Sequence, residues 1–140
     1  MEGKGTTKAG ARRVRRFARS LGARVRARDG SGLSRRNRAA PKQVGRLLAG
    51  MLDHEAEGAF RSSLPVAGRE GTLRSRMRGT AAEGRCRAKT GTLSGVSALS
   101  GYCEGGKRTI AFSILMNGAD VFAARGIQDR MAAAIARHAR

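Results

Sequence analysis

The chain has 140 residues, 40% of them hydrophobic and 28% charged, enough for one domain around a single core and too short for two ordinary ones. Aromatics make up 4% and tryptophan is absent, so the core must be built from Ala, Val, Leu, Ile and Met, which bury less area per side chain. The formal charge of +19 suggests a phosphate backbone as partner, and no run of about 18 apolar residues offers a membrane span.

Residues 1–7 read as disordered, and MEGKGTTKAGARRVRRF lacks the apolar stretch of a secretion signal. As written, the sequence carries no export signal. A first helix is predicted over 8–21, where Ala11, Val14, Phe17, Ala18 and Leu21 share a stripe and Gly22 follows as a stop. Residues 1–40 hold 13 Lys or Arg against 2 acids, and Arg outnumbers Lys 24 to 5 in the whole chain. A coding bias toward Arg, Ala and Gly produces that pattern as readily as a ligand does. Single-strand binders interleave aromatics with their basic residues, whereas Phe17 is the sole aromatic before Phe60, so nucleic acid is not the expected partner.

DGSGLSRRNRAAP, residues 29–41, reads as a structured loop, and a second helix is predicted over 42–57, with apolar residues at 44, 47, 48, 51 and 52. SSLPVAGREGTL, residues 62–73, is loop again. From residue 85 the period shortens to near two. Strands are predicted over 85–92, 96–103 and 108–117, with turns at LSG (93–95) and EGGK (104–107). The simplest arrangement is an antiparallel three-stranded meander. Both faces of the third strand are apolar, so it calls for a cover on each side and for further strands beside it. A last helix is predicted over 121–138, lying across the sheet. The fold class is α+β.

AKTGTLSGVSALSGY, residues 88–102, sits on the first two strands. Side chains alternate faces along a strand, so Lys89 and Gly91 point one way while Thr90 and Thr92 point the other. A glycine on an edge strand lets a ligand approach the backbone, and a lysine beside it supplies charge for an anionic group. KTG alone is a weak signal. In its setting, with IAFSILMNG downstream and SLPVAG, GTL, RMRGTAAEG and DGSGLSRRN upstream, it resembles the D-alanyl-D-alanine carboxypeptidases of the class C penicillin-binding protein type, the S13 peptidases. The resemblance runs from about residue 8 to the C-terminus.

That resemblance implies the C-terminal part of a penicillin-binding-protein/β-lactamase-like transpeptidase fold, with KTG on the edge strand of a five-stranded sheet beside the cleft. It implies a substrate-binding role for Lys89, Thr90, Gly91 and Thr92: the Lys and the Thr90 hydroxyl would hold a substrate or penicillin carboxylate. The Thr92 N–H would be half of an oxyanion hole. Leu33 and Ser34 would line the cleft, or their loop simply caps the next helix. The implied ligands are peptidoglycan stem peptides and β-lactams, the implied location is periplasmic or otherwise extracytoplasmic, and no cofactor or metal is called for.

The family's S-x-x-K and S-x-N motifs are not in the 140 residues. The nearest matches, SRRN at 34–37 and SRMR at 75–78, have the wrong residues or spacing. Residues 1–140 are therefore expected to form a partial domain with no catalytic nucleophile, the missing motifs lying before Met1. No other constellation substitutes for them: His54 and His138 read as surface residues, and two Cys and two His lack a metal-ligand spacing. Folding the first two strands about their turn sets Cys86 opposite Cys103. They are either small buried thiols, the favoured reading, or a disulfide. Three functional readings stand beside one another: a piece of a serine-type D-Ala-D-Ala carboxypeptidase or endopeptidase, inactive alone; a basic nucleic-acid-binding module; and a structural remnant that needs a partner chain.

Overall fold

The computed structural model describes residues 5–139. Its elements in chain order are α1 (Thr7–Ser20), α2 (Pro41–Leu52), α3 (Glu57–Ser62), β1 (Cys86–Leu93), β2 (Val96–Gly105), β3 (Arg108–Asn117) and α4 (Val121–His138). The fold is α+β, as expected. Of the stretch 1–7, residues 1–4 lie outside the described residues. Thr6 caps α1, its hydroxyl accepting from the Ala9 N–H at 3.1 Å, and Thr7 begins the helix.

The three strands form one antiparallel sheet in the order β1-β2-β3. Gly95 and Gly106 take the positive φ values, 68° and 58°, that the two tight turns require. The alternation read from the sequence sorts the faces. Cys86, Ala88, Leu99, Phe112 and Ile114 pack with Ala132, Ala133 and Ala136 of α4, while Tyr102 packs with Leu48 of α2 on the other side. So β3 is covered on both faces, and its outer edge is unpaired among the described residues.

Two expectations need correction. The helix predicted over 42–57 ends at Leu52. The backbone breaks at 53–56, where the His54 Nδ1 accepts from the Ala56 N–H at 3.1 Å and offers the chain an alternative to helical pairing. A separate helix, α3, follows in a stretch partly read as loop. The stripe on α1 is also less buried than its period implies: Ala11 and Ala18 are buried, but Val14 and Phe17 are each 44% exposed, and Phe17 meets the His54 ring in a T-shaped pair, centroids 5.5 Å apart.

The irregular segment between α3 and β1 is held by polar groups. Arg76 reaches α4, donating to the Asp129 carboxylate at 2.7 Å and to the Gln128 Oε1 at 3.1 Å; Gln128 in turn donates to the Ser97 hydroxyl of β2 at 3.0 Å. Both Gln128 and Ser97 are buried, so the network satisfies every group it removes from water. Tyr102, the one tyrosine in the chain, donates its hydroxyl to the Leu48 carbonyl at 2.7 Å. Burial pushes this phenol up to about 12 from 10.0. The folded value lies above the unfolded one, so the neutral phenol's contribution is fully present below pH 10.0 and is lost as the pH rises toward 12. An ultraviolet titration should give a midpoint near 12 in the folded protein and near 10.0 after unfolding. Equal midpoints would show that the ring is not buried in solution.

Gly101 on β2 faces Ala88. A Cβ there would overlap the Arg87 carbonyl oxygen and lie 2.6 Å from the Ala88 Cα. Only glycine lets β1 come this close. Gly101→Ala should cost about 3 kcal/mol, at the upper end of overpacking penalties, read as a lower denaturant midpoint; an unchanged midpoint would show that the strands separate at no cost.

A candidate substrate-binding edge on strand β1

The two halves of β1 differ in their outer neighbours. Beside its first half runs the segment 65–67: the Ala67 N–H donates to the Cys86 carbonyl at 2.8 Å, the Ala88 N–H donates to the Pro65 carbonyl at 3.0 Å, and Val66 bridges Arg87. Beyond Ala88 no backbone pairs with the outer edge among the described residues. In an antiparallel ladder, outward-facing residues alternate with those bonded to the neighbouring strand. Cys86 and Ala88 face outward, so Thr90 and Thr92 do as well. Their N–H and C=O groups are aimed away from the sheet.

The expected site residues fall on this free half. Lys89 is exposed, and its Nζ donates to the Thr90 carbonyl at 2.7 Å. That leaves two of the three ammonium donors for a ligand. The Thr90 hydroxyl donates to the Thr72 hydroxyl at 3.0 Å, and Thr72 stands on a single 3-10 turn, Gly71–Leu73. Gly91 lies against Ala98, where a Cβ would meet the Ala98 Cβ at 3.3 Å. Thr92 is exposed, and its Oγ1 is 3.4 Å from the Nη2 of Arg125 on α4. Arg125 also lies over the Phe122 ring, 5.7 Å from its centroid.

The loop carrying Leu33 and Ser34 is organised around Asp29. The Asn37 amide donates to Asp29 Oδ1 at 2.8 Å, while the Ser31 hydroxyl and the Ser34 N–H donate to Oδ2 at 2.9 and 3.1 Å. The Asn37 amide, ahead of the other donors, holds the Asp29 carboxyl below its ordinary value. Asn37 also accepts from the Arg28 N–H at 2.7 Å. The SRRN segment thus closes its own loop. Leu33 projects into solvent, 69% exposed, and Arg35 donates to the Ser94 carbonyl at 3.3 Å, which sets the loop beside the β1–β2 turn. His54 packs against Phe17, and exposed His138 contacts the Ala134 carbonyl at 3.1 Å; neither approaches a serine as a base would.

Cys86 and Cys103 are joined by a disulfide, with Cα atoms 4.0 Å apart. This corrects the favoured reading of two free thiols. They form a pair whose backbone groups point away from one another, the closer of the two antiparallel pairings. Both are fully buried against the Ala132 carbonyl of α4.

Two side chains that touch the free edge, Thr72 and Arg125, were not singled out from the sequence, nor was Arg35, which meets the β1–β2 turn. Thr72 lies within the GTL stretch that carries the resemblance. Arg125 left no local signal, since on α4 only the buried positions repeat. Two shallow concavities, one bounded by Arg24, Arg38 and Gln43 and one by Glu57, Arg61 and Arg87, are not lined by any of Lys89–Thr92. The candidate site is an open strand edge rather than a pocket, and no helix is long and apolar enough to cross a membrane.

The profile of the D-Ala-D-Ala carboxypeptidase 3 (S13) family matches residues 1–138. A D-alanyl-D-alanine carboxypeptidase of Actinomadura sp. (strain R39) is 48% identical, the match covering 79% of this chain and 22% of that protein. A penicillin-sensitive carboxypeptidase A of Dictyostelium discoideum is 36% identical over 64% of this chain and 19% of its own length. The chain thus spans about a fifth of the curated relatives it matches. Among solved structures, penicillin-binding protein 4 of Haemophilus influenzae in complex with a β-lactam superposes with a TM-score of 0.74 at 27% identity, covering 91% of this chain and 34% of that one. A predatory endopeptidase of Bdellovibrio bacteriovorus, at 24% identity and a TM-score of 0.68, covering 91% of this chain and 36% of that one, shares the fold.

Proposed function

The chain belongs to the D-Ala-D-Ala carboxypeptidase 3 (S13) family, and from that premise we propose that it is the KTG-bearing portion of a serine-type D-Ala-D-Ala carboxypeptidase. Such an enzyme hydrolyses peptidoglycan stem peptides through an acyl-enzyme and is acylated by β-lactams. The observation that carries the reading is the free half of β1, whose outward backbone groups at Thr90 and Thr92 lie beside the Lys89 ammonium.

In this reading an extended D-alanyl peptide lies along the free edge. A serine from the S-x-x-K segment attacks the carbonyl carbon of the penultimate D-alanine. The C–N bond breaks, D-alanine leaves with the serine's proton on its amine, and water then cleaves the ester. The Thr92 N–H meets the oxygen on which negative charge develops, the kind of donor worth several kcal/mol where water is excluded. Gly91 keeps the approach clear. Lys89 must swing from the Thr90 carbonyl to face the incoming carboxylate, which the Thr90 hydroxyl also meets; leaving one hydrogen bond for a charge-assisted one is favourable. Leu33 and Ser34 border the far end of the cleft. A disulfide beside the site fits an oxidising, extracytoplasmic compartment.

Grafting residues 1–140 into the Actinomadura carboxypeptidase, in place of the stretch they match, tests the proposal. The chimera should release D-alanine from a D-alanyl-D-alanine peptide. A chimera that folds and binds but releases none would overturn it.

A further inference from the structure

On the α4 side of the sheet, the hydroxyls of Thr72, Thr90 and Thr92 follow one another along the free edge of β1, and the row ends at the Arg125 guanidinium. Lys89 projects from the opposite face of the strand. Two cations therefore flank the edge from two sides.

Arg125 differs from the two arginines that are ion-paired among the described residues. Arg61 is neutralised by Glu57 and Glu104, and Arg76 by Asp129. No carboxylate lies within ion-pair distance of Arg125 among the described residues. Its side chain is nevertheless placed, laid over the Phe122 ring and bonded to the hydroxyl of the very residue whose N–H points to the open edge. A planar guanidinium held without an anion, beside outward backbone donors, suits a carboxylate that can take two of its N–H groups at once.

We infer that Arg125 selects substrates ending in a free α-carboxylate, setting a carboxypeptidase preference over cleavage within a longer peptide. The inference rests on the substrate reading of β1. A peptide whose terminus is amidated or extended leaves the guanidinium without its anion. A partly exposed pair of this kind separates the two by about fivefold.

The test is an amide chemical-shift titration of the 140-residue chain with acetyl-D-alanyl-D-alanine and with its C-terminal amide. The acid should bind about fivefold tighter than the amide, with the largest shifts at Thr90 and Thr92. Arg125→Gln should keep only the part of the preference that Lys89 and Thr90 supply, and Arg125→Lys should lose less of it. Equal binding of acid and amide by the unaltered chain, or a preference undiminished in Arg125→Gln, overturns the role of Arg125 while leaving the strand as the binding edge. If neither peptide moves the Thr90 and Thr92 amides, the substrate reading falls and this inference with it.

Discussion

Incubated with a labelled penicillin, the 140-residue chain alone should stay unmodified, while the Actinomadura chimera should be labelled to one equivalent. The first half of that result follows from chemistry. Removal of a nucleophile that works as a unit with its base abolishes nearly all of the rate, and no serine hydroxyl among the described residues bonds a lysine or histidine nitrogen, Ser31 donating to the loop carboxylate of Asp29. A stoichiometric adduct on the isolated chain, located by mass spectrometry, would mean that another serine had been activated. The second half depends on Lys89 and the Thr92 N–H. Lys89→Ala in the chimera should slow labelling by about 10²- to 10³-fold, the range seen when one preorganised electrostatic contact is removed from an acyl-transfer site. Thr90→Val, which keeps shape and loses the hydroxyl, should slow it less, since Lys89 still faces the carboxylate. A Lys89→Ala chimera as fast as its parent would remove β1 from the active site.

A stability effect as large as that of Gly101→Ala should come from the disulfide. Cys86 and Cys103 are separated by 17 residues, and closing a loop of that size restricts the unfolded chain by about 3 kcal/mol. Converting both residues to Ala should lower the melting temperature by about 10 °C in a protein of this length. The bond joins the two strands beneath α4, so its loss should also loosen the ladder that leads into Lys89. If the folded protein shows two freely alkylated thiols under denaturing, non-reducing conditions, the bridge does not form in solution.

How far the sequence could be read depended on whether an element was specified locally or at a distance. The meander was legible because alternation and the glycines at 95 and 106 act within a few residues. The pairing of Cys86 with Cys103 follows once the first turn is placed. The break in the second helix rests on a side-chain acceptor, His54, whose type does not announce a stop. The segment between α3 and β1 owes its path to Arg76 reaching Asp129 across 53 positions, a link that no local pattern contains. Burial on α1 was overestimated because a helical stripe shows which face is apolar and not whether anything covers it. In the candidate site, KTG was legible as a motif. The split of β1 into a paired and a free half was not, since the strand formed by 65–67 is a bridge with no alternation of its own.

That split also fixes a length. On the proposed reading a peptide adding to β1 in extended form would pair with Thr90 and Thr92, whose backbone groups lie about 7 Å apart. One step further it runs into Pro65, whose carbonyl already takes the Ala88 N–H. On the proposed reading the edge would work as a ruler with an end stop: two residues of ligand would fit along it, and whatever else the ligand carries would have to leave the plane of the sheet. A strand long enough to invite aggregation would thereby become a slot that measures off a chain terminus.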